Sequence, residues 1–116
     1  MSDFLTLKVE IIKNFGTPCA VVDLNVLEKN ISRVQNICDN AGLSNRPHIK
    51  THKSGEVARM QIDAGASGVT CQKLGEAEVM AAAGITDILI ATNLLGAAAR
   101  CTISFAKPYF FEGLRR

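Results

Sequence analysis

The sequence predicts an α/β fold of about three parallel β/α units preceded by a helix. Three observations carry this reading. The tetrapeptides Ala41-Gly42-Leu43-Ser44, Ala64-Gly65-Ala66-Ser67 and Ala83-Gly84-Ile85-Thr86 repeat one pattern at spacings of 23 and 19 residues. Each closes a helical stretch and leads into a short apolar run, at residues 47–49, 68–71 and 87–91. Helix-compatible stretches, 55–64 and 75–83, fill the spaces between the runs. Strands alternating with helices at short spacing make βαβ units, whose right-handed crossovers lay the strands parallel. A closed barrel takes about 250 residues, so 116 residues hold less than half of one. An open sheet of three strands leaves apolar edges for a partner to cover.

Taken in order, residues 1–16 carry Leu5, Leu7, Val9, Ile11 and Ile12 and fit either a helix or a lead-in strand, ended by Gly16-Thr17-Pro18. Cys19-Ala20-Val21-Val22 reads as a short strand. Asp23 suits an N-cap, and Leu24, Leu27, Ile31, Val34, Cys38 and Ala41 recur at helical spacing up to the stop at Gly42. In the next helical stretch Val57, Ala58, Gln61 and Ile62 should face inward, and in the last one Ala77, Met80, Ala81 and Gly84.

The composition narrows function. Charged residues at 21% with a net charge of +2 are too balanced to argue for nucleic acid or an anionic membrane, and 5% aromatics supply few stacking platforms. Cys19, Cys38, Cys71 and Cys101 are far apart with no Cys-x-x-Cys pair, which reads as reduced, mostly buried thiols. Asp3, Lys8 and Glu10 stand where a signal peptide would place its apolar run, and no apolar stretch is long enough for a membrane span. The expected location is the cytosol.

Arg46-Pro47-His48-Ile49-Lys50-Thr51-His52-Lys53-Ser54 gathers both histidines with three cationic residues. A lysine leaving a buried strand sits where α/β proteins do their chemistry. His52 and Lys53 close by make Lys50 a candidate for a lowered pKa, which an imine-forming lysine needs. The same stretch also fits a solvated basic loop. On a parallel sheet, Lys50, Gln72 and Thr92-Asn93 share one rim, although loop capping also accounts for Gln72 and Asn93. His48 suits either a satisfied core histidine or a group in a barrel interior. Glu76 and Glu78 fall in a first helical turn, where the helix dipole accounts for them. His48-x-Lys50-x-His52 has two imidazoles and no third ligand, so no metal site is assigned. No glycine-rich nucleotide cradle is present.

Thr17-Pro18…Val22-Asp23-Leu24, the Pro47-His48-x-Lys50-Thr51-His52-Lys53 motif and Gln72-Lys73-x-Gly75-Glu76-Ala77-Glu78 together resemble the opening third of D-threonine aldolases and eukaryotic-type D-serine dehydratases. These belong to the alanine-racemase-like class of pyridoxal-phosphate enzymes. The resemblance runs from about Phe15 to Gly96 and implies a (β/α)8 barrel with Lys50 forming the internal aldimine. His48, Gln72 and Asn93, from the shared rim and the motif strand, are assigned with Lys50 to cofactor binding; the resemblance implies a small D-amino acid as substrate and a homodimer for the full-length enzymes. A divalent metal is implied for the full-length family, with ligands that this chain lacks. The expected organisation is a lead-in at 1–23, a partial barrel at 24–96 and a divergent tail at 97–116. In the tail, Pro108 and the bunched aromatics break the family pattern, as in a truncated or frame-shifted product. The implied function is the amino-terminal part of a lyase for D-threonine aldol cleavage or D-serine dehydration, inactive alone. The alternatives are a non-catalytic pyridoxal-phosphate-binding remnant or interaction module, and a small basic nucleic-acid binder.

Overall fold

Three of the four described helices stop in the same way, and the Ala-Gly repeat is the reason. The computed structural model describes residues 2–93 and 95. Its elements run α1 (Ser2–Phe15), α2 (Leu24–Asn40), α3 (Gly55–Asp63), β1 (Val69–Cys71), α4 (Leu74–Ala82) and β2 (Ile88–Ile90). After α2, Gly42 takes a φ of +65° and the amides of Gly42 and Leu43 return to the carbonyls of Asp39 and Cys38. After α3, Gly65 and Ala66 donate to Ile62 and Gln61, and after α4, Gly84 and Ile85 donate to Ala81 and Met80. Gly65 and Gly84 also have positive φ. This paired closure satisfies the last helical carbonyls and needs a left-handed residue that glycine adopts without a Cβ penalty. The helix starts are as local. Asp23 Oδ1 accepts from Val26 N–H at 3.1 Å, and Ser54 Oγ from Val57 N–H at 3.3 Å.

β1 and β2 are parallel, in the register Val69↔Ile88, Thr70↔Leu89 and Cys71↔Ile90. The run at 47–49 also lies parallel to β1, but through one bridge, His48↔Thr70, and is not a strand. Ile49 N–H donates to Thr70 O and Thr70 N–H to Pro47 O; the chain then turns, with Lys53 N–H closing back on Ile49 O at 2.8 Å. Pairing ends there because the backbone leaves the sheet direction. The order is therefore the predicted parallel one, with two strands and a bridge in place of three strands.

The core lies between this sheet and α3 and α4. It contains Ile49, Ala58, Val69, Cys71, Ala77, Met80, Ile85 and Ile88, with Ile62 and Ile90 partly buried against it. Burial pushes the Cys71 thiol up to about 11, an inert group packed as a small hydrophobe. On α3 the expected inward face is found, with Ala58 buried and Val57, Gln61 and Ile62 half-buried. On α4, Ala77 and Met80 are buried while Ala81 and Gly84 are exposed. Ala81 falls at the margin of the stripe, and Gly84 lies past the helix, where the 3.6-residue period no longer applies.

Three further differences from the expectations have physical causes. The ambiguous first segment is a helix, α1, with Phe4, Leu5, Leu7, Val9, Ile12 and Phe15 exposed. Cys19–Val22 is not a strand, because no neighbouring strand among the described residues pairs with its exposed backbone. In α2 the predicted stripe is half-covered: Leu27, Ile31 and Cys38 are half-buried, Leu24 and Val34 exposed, and Gln35 is the buried residue. The tail at 97–116 lies outside the described residues.

At the amino edge of the sheet Arg46 grips Asp87 in a forked ion pair, Nη1 to Oδ1 at 2.8 Å and Nη2 to Oδ2 at 2.9 Å. The pair passes over Gly68, where a Cβ would meet Arg46 Nη1 and stand 2.6 Å from Asp87 O. Only glycine leaves room for the fork. The Arg46 hydrogen bond holds the Asp87 carboxyl below the usual carboxylate range. A depressed carboxyl contributes stability above its unfolded-state pKa, and that contribution is lost as pH falls through the folded-state value. Asp87→Asn is thus expected to be less stable than the parent at pH 7, by under about 1 kcal/mol because both groups are partly exposed. The two urea midpoints should converge as pH falls through the folded-state value of Asp87. Parallel curves over the whole range would contradict this assignment.

Candidate active site

The parallel register decides which loops meet. Residues that follow β1 and β2 emerge at the same edge, so Gln72 neighbours Ala91, whose N–H donates to Cys71 O at 2.9 Å. Thr92 Oγ1 then donates to Gln72 O at 2.7 Å and ties the two exit loops together. Asn93 follows at that edge and is exposed, as are Gln72 and Thr92. Lys50 leaves the bridged run two residues after His48, in line with Gln72 by the His48↔Thr70 register. The shared rim inferred from sequence is present.

Lys50 itself is exposed, although Ile49 before it is fully buried. The burial of the amine expected at a strand exit is not found among the described residues, because the chain turns outward at Ile49. The turn is held by its own histidines. His48 Nδ1 accepts from Lys50 N–H at 3.2 Å, and His52 Nδ1 accepts from Ser54 N–H at 3.1 Å. Both imidazoles are half-buried. Each ring accepts through Nδ1, which leaves Nε2 as its donor atom. Burial pushes the His52 pKa down, in the direction that keeps the ring neutral. Its Nε2 and Gln61 Oε1 are both buried, and Gln61 beside the ring raises the pKa by less than burial lowers it.

Glu76, which the sequence assigned to dipole compensation, is central to the rim. Its Oε2 accepts from Gln72 N–H at 2.9 Å and Lys73 N–H at 3.4 Å, and its Oε1 lies 3.5 Å from Lys53 Nζ. The Gln72 amide is the main cause that holds this carboxyl below the usual range. The spacing Lys73-x-x-Glu76 places the carboxylate at the third helical position of α4, where it reaches back to the N-cap amide. That spacing was the available signal; the reach to Lys53 was not in it.

Among the described residues no group of three or more His, Cys, Asp or Glu could hold a metal ion. None of the described helices is long and apolar enough to cross a membrane. A cavity of about 330 Å³ lies at the opposite end, lined by Gln35, Asp39, Asn45 and Gly65 among others. Gln35 is fixed there between Asp39 and Asn45, and Asn45 O receives Ser67 N–H and Oγ–H. At the amino edge of a parallel sheet such a network serves stability.

The family described as "Alanine racemase, N-terminal domain" matches residues 22–104. A D-threo-3-hydroxyaspartate dehydratase of Delftia sp. (strain HT23) is 51% identical over 78 residues, 67% of this chain and 20% of that protein. A D-threonine aldolase of Arthrobacter sp. is 43% identical over 82 residues, covering 71% of this chain and 22% of the aldolase. The solved structure of the Delftia dehydratase superposes with a TM-score of 0.74 and 44% identity, over 78% of this chain and 24% of that one. The chain thus spans about a fifth of the length of the curated relatives it matches.

Proposed function

The chain belongs to the alanine racemase N-terminal domain family, and on that premise we propose that it is the amino-terminal part of a pyridoxal-phosphate-dependent lyase for D-3-hydroxy amino acids. The reaction class is aldol cleavage, as for D-threonine, or dehydration, as for D-serine or a 3-hydroxyaspartate. The observation that carries the reading is Lys50. It stands exposed on the carboxyl edge of a parallel arrangement, on a turn fixed by His48 and Ile49, inside the segment shared with these relatives. In this reading residues 24–96 form the first units of a (β/α)8 barrel and 1–23 a lead-in, with 97–116 as a divergent tail.

The donor set on the rim suits the aldehyde end of the cofactor: a primary amine at Lys50, the amides of Gln72 and Asn93, and the imidazole of His48. Lys50 would hold the cofactor covalently through Nζ. When bound, pyridoxal phosphate supplies an electron sink for bond cleavage at the substrate α-carbon. Lys50 Nζ would then move a proton at that carbon. Gln72 keeps a fixed backbone because Glu76 takes its N–H and Thr92 donates to its carbonyl, so its side chain can orient a ligand. His48, with Nδ1 engaged, offers Nε2–H as a donor. The lysines at 50, 53 and 73 favour anionic ligands over neutral ones. The divalent metal and the dimer implied by the family resemblance belong to the full-length enzyme in this proposal.

Incubation with pyridoxal phosphate, borohydride reduction and peptide mapping tests the reading. A phosphopyridoxyl group is expected on Lys50 in preference to Lys53, Lys73 and the other lysines. Labelling spread evenly over the lysines would overturn it.

A further inference from the structure

We infer that Glu76 is a positioning residue for Lys50, acting through Lys53; the inference rests on the reading of Lys50 given above. Lys53 closes the Lys50 turn in the left-handed region, with a φ of +50°. A non-glycine residue there costs of order 1 kcal/mol and persists only where its surroundings over-determine it. Two contacts do so. Lys53 N–H donates to Ile49 O at 2.8 Å, and Lys53 Nζ lies 3.5 Å from Glu76 Oε1.

The geometry separates this role from helix capping. A carboxylate at the third position of α4 needs one oxygen to reach back to the amides at the helix start. Glu76 does this with Oε2, which receives both Gln72 N–H and Lys73 N–H. Oε1 is then left to face the neighbouring loop. The Glu76 side chain is only 10% exposed, whereas that of Lys53 is 62% exposed. The carboxylate is therefore the fixed partner and the ammonium the one that is held. One side chain thereby joins the α4 start, the backbone of Gln72 and the turn that carries Lys50.

The test begins without cofactor. Glu76→Gln keeps an oxygen that can accept from Gln72 N–H and removes the charge that holds Lys53. Hydrogen exchange at the Lys53 amide should quicken about two- to five-fold, the factor matching an exposed ion pair. Exchange at the Val69 and Ile85 amides, bonded to Asp87 O and Met80 O, should stay unchanged, which separates a loosened turn from a loosened fold. In the borohydride mapping the share of adduct on Lys50 should fall by a similar factor, with Lys53 gaining. Lys53→Met leaves the cap of α4 intact and should quicken the same exchange, so the test survives if Glu76→Gln fails to fold. Lys53→Arg should restore protection. Unchanged exchange at residue 53 in Glu76→Gln or Lys53→Met, or an unchanged adduct share on Lys50, would overturn the inference. A parent chain that forms no Lys50 adduct would overturn the reading beneath it instead, and the two failures are read from different samples.

Discussion

Lys50→Ala is expected to abolish the specific phosphopyridoxyl adduct, and Lys50→Arg to abolish it as completely. The two substitutions separate charge from chemistry. Arginine keeps a cation at the rim but stays protonated and presents no amine that attacks an aldehyde. If the cofactor were drawn to the rim by charge alone, labelling in Lys50→Arg would move to the neighbouring lysines with its total little changed. Lys53 is not a substitute, because its Nζ is drawn to Glu76. Lys50 is exposed, and its backbone N–H rather than its side chain bonds His48. Neither substitution should therefore change stability by more than about 0.5 kcal/mol. Equal melts with and without the lysine, and labelling lost only without it, would place the chemistry at Nζ. Labelling that persists elsewhere at the parent level would remove Lys50 from the proposed function. No cleavage of D-threonine is expected from the 116-residue chain, since it spans about a fifth of the aldolase and dehydratase relatives.

What the sequence discloses follows from how local each feature is. The helix stops at Gly42, Gly65 and Gly84 are legible because each closure involves residues within five positions of one another. The N-caps Asp23 and Ser54 are legible for the same reason. The parallel order at the rim follows from alternation, and with it the common edge of Lys50, Gln72 and Asn93. The features that escaped notice are made by distant partners. Arg46 and Asp87 are 41 residues apart, and Glu76 reaches a lysine in another loop. Gln35 escaped because an apolar stripe suggests that Leu24 and Val34 are covered, whereas Asp39 and Asn45 satisfy the glutamine and draw it inside. Hydropathy registers none of these, since each depends on a polar group finding its complement in the fold.

Ile49→Ala should unsettle both fold and site, through one side chain and its own backbone. Ile49 is fully buried and among the largest side chains so placed, with Met80, Val69 and Cys71. Truncation to alanine removes three carbons from a packed interior and leaves a cavity, a loss of about 2–5 kcal/mol. Domains of this size are stable by roughly 5–15 kcal/mol, so the change consumes a large share. Ile49→Val removes one methylene and should cost only about 0.5–1.5 kcal/mol. The measurement is the urea midpoint at constant slope, which separates lost stability from a changed unfolded state. The same residue anchors the site, because Ile49 N–H donates to Thr70 O and Ile49 O accepts from Lys53 N–H. Both bonds are main-chain and survive truncation, but the packing that fixes their geometry does not. Selectivity of the adduct for Lys50 should therefore decline in Ile49→Ala under conditions where the chain is still folded, and hold in Ile49→Val. A midpoint shift worth less than about 0.5 kcal/mol for Ile49→Ala would mean that Ile49 is not a core anchor. A large shift with undiminished selectivity would mean that the turn is positioned by its own hydrogen bonds, independently of the core beneath it.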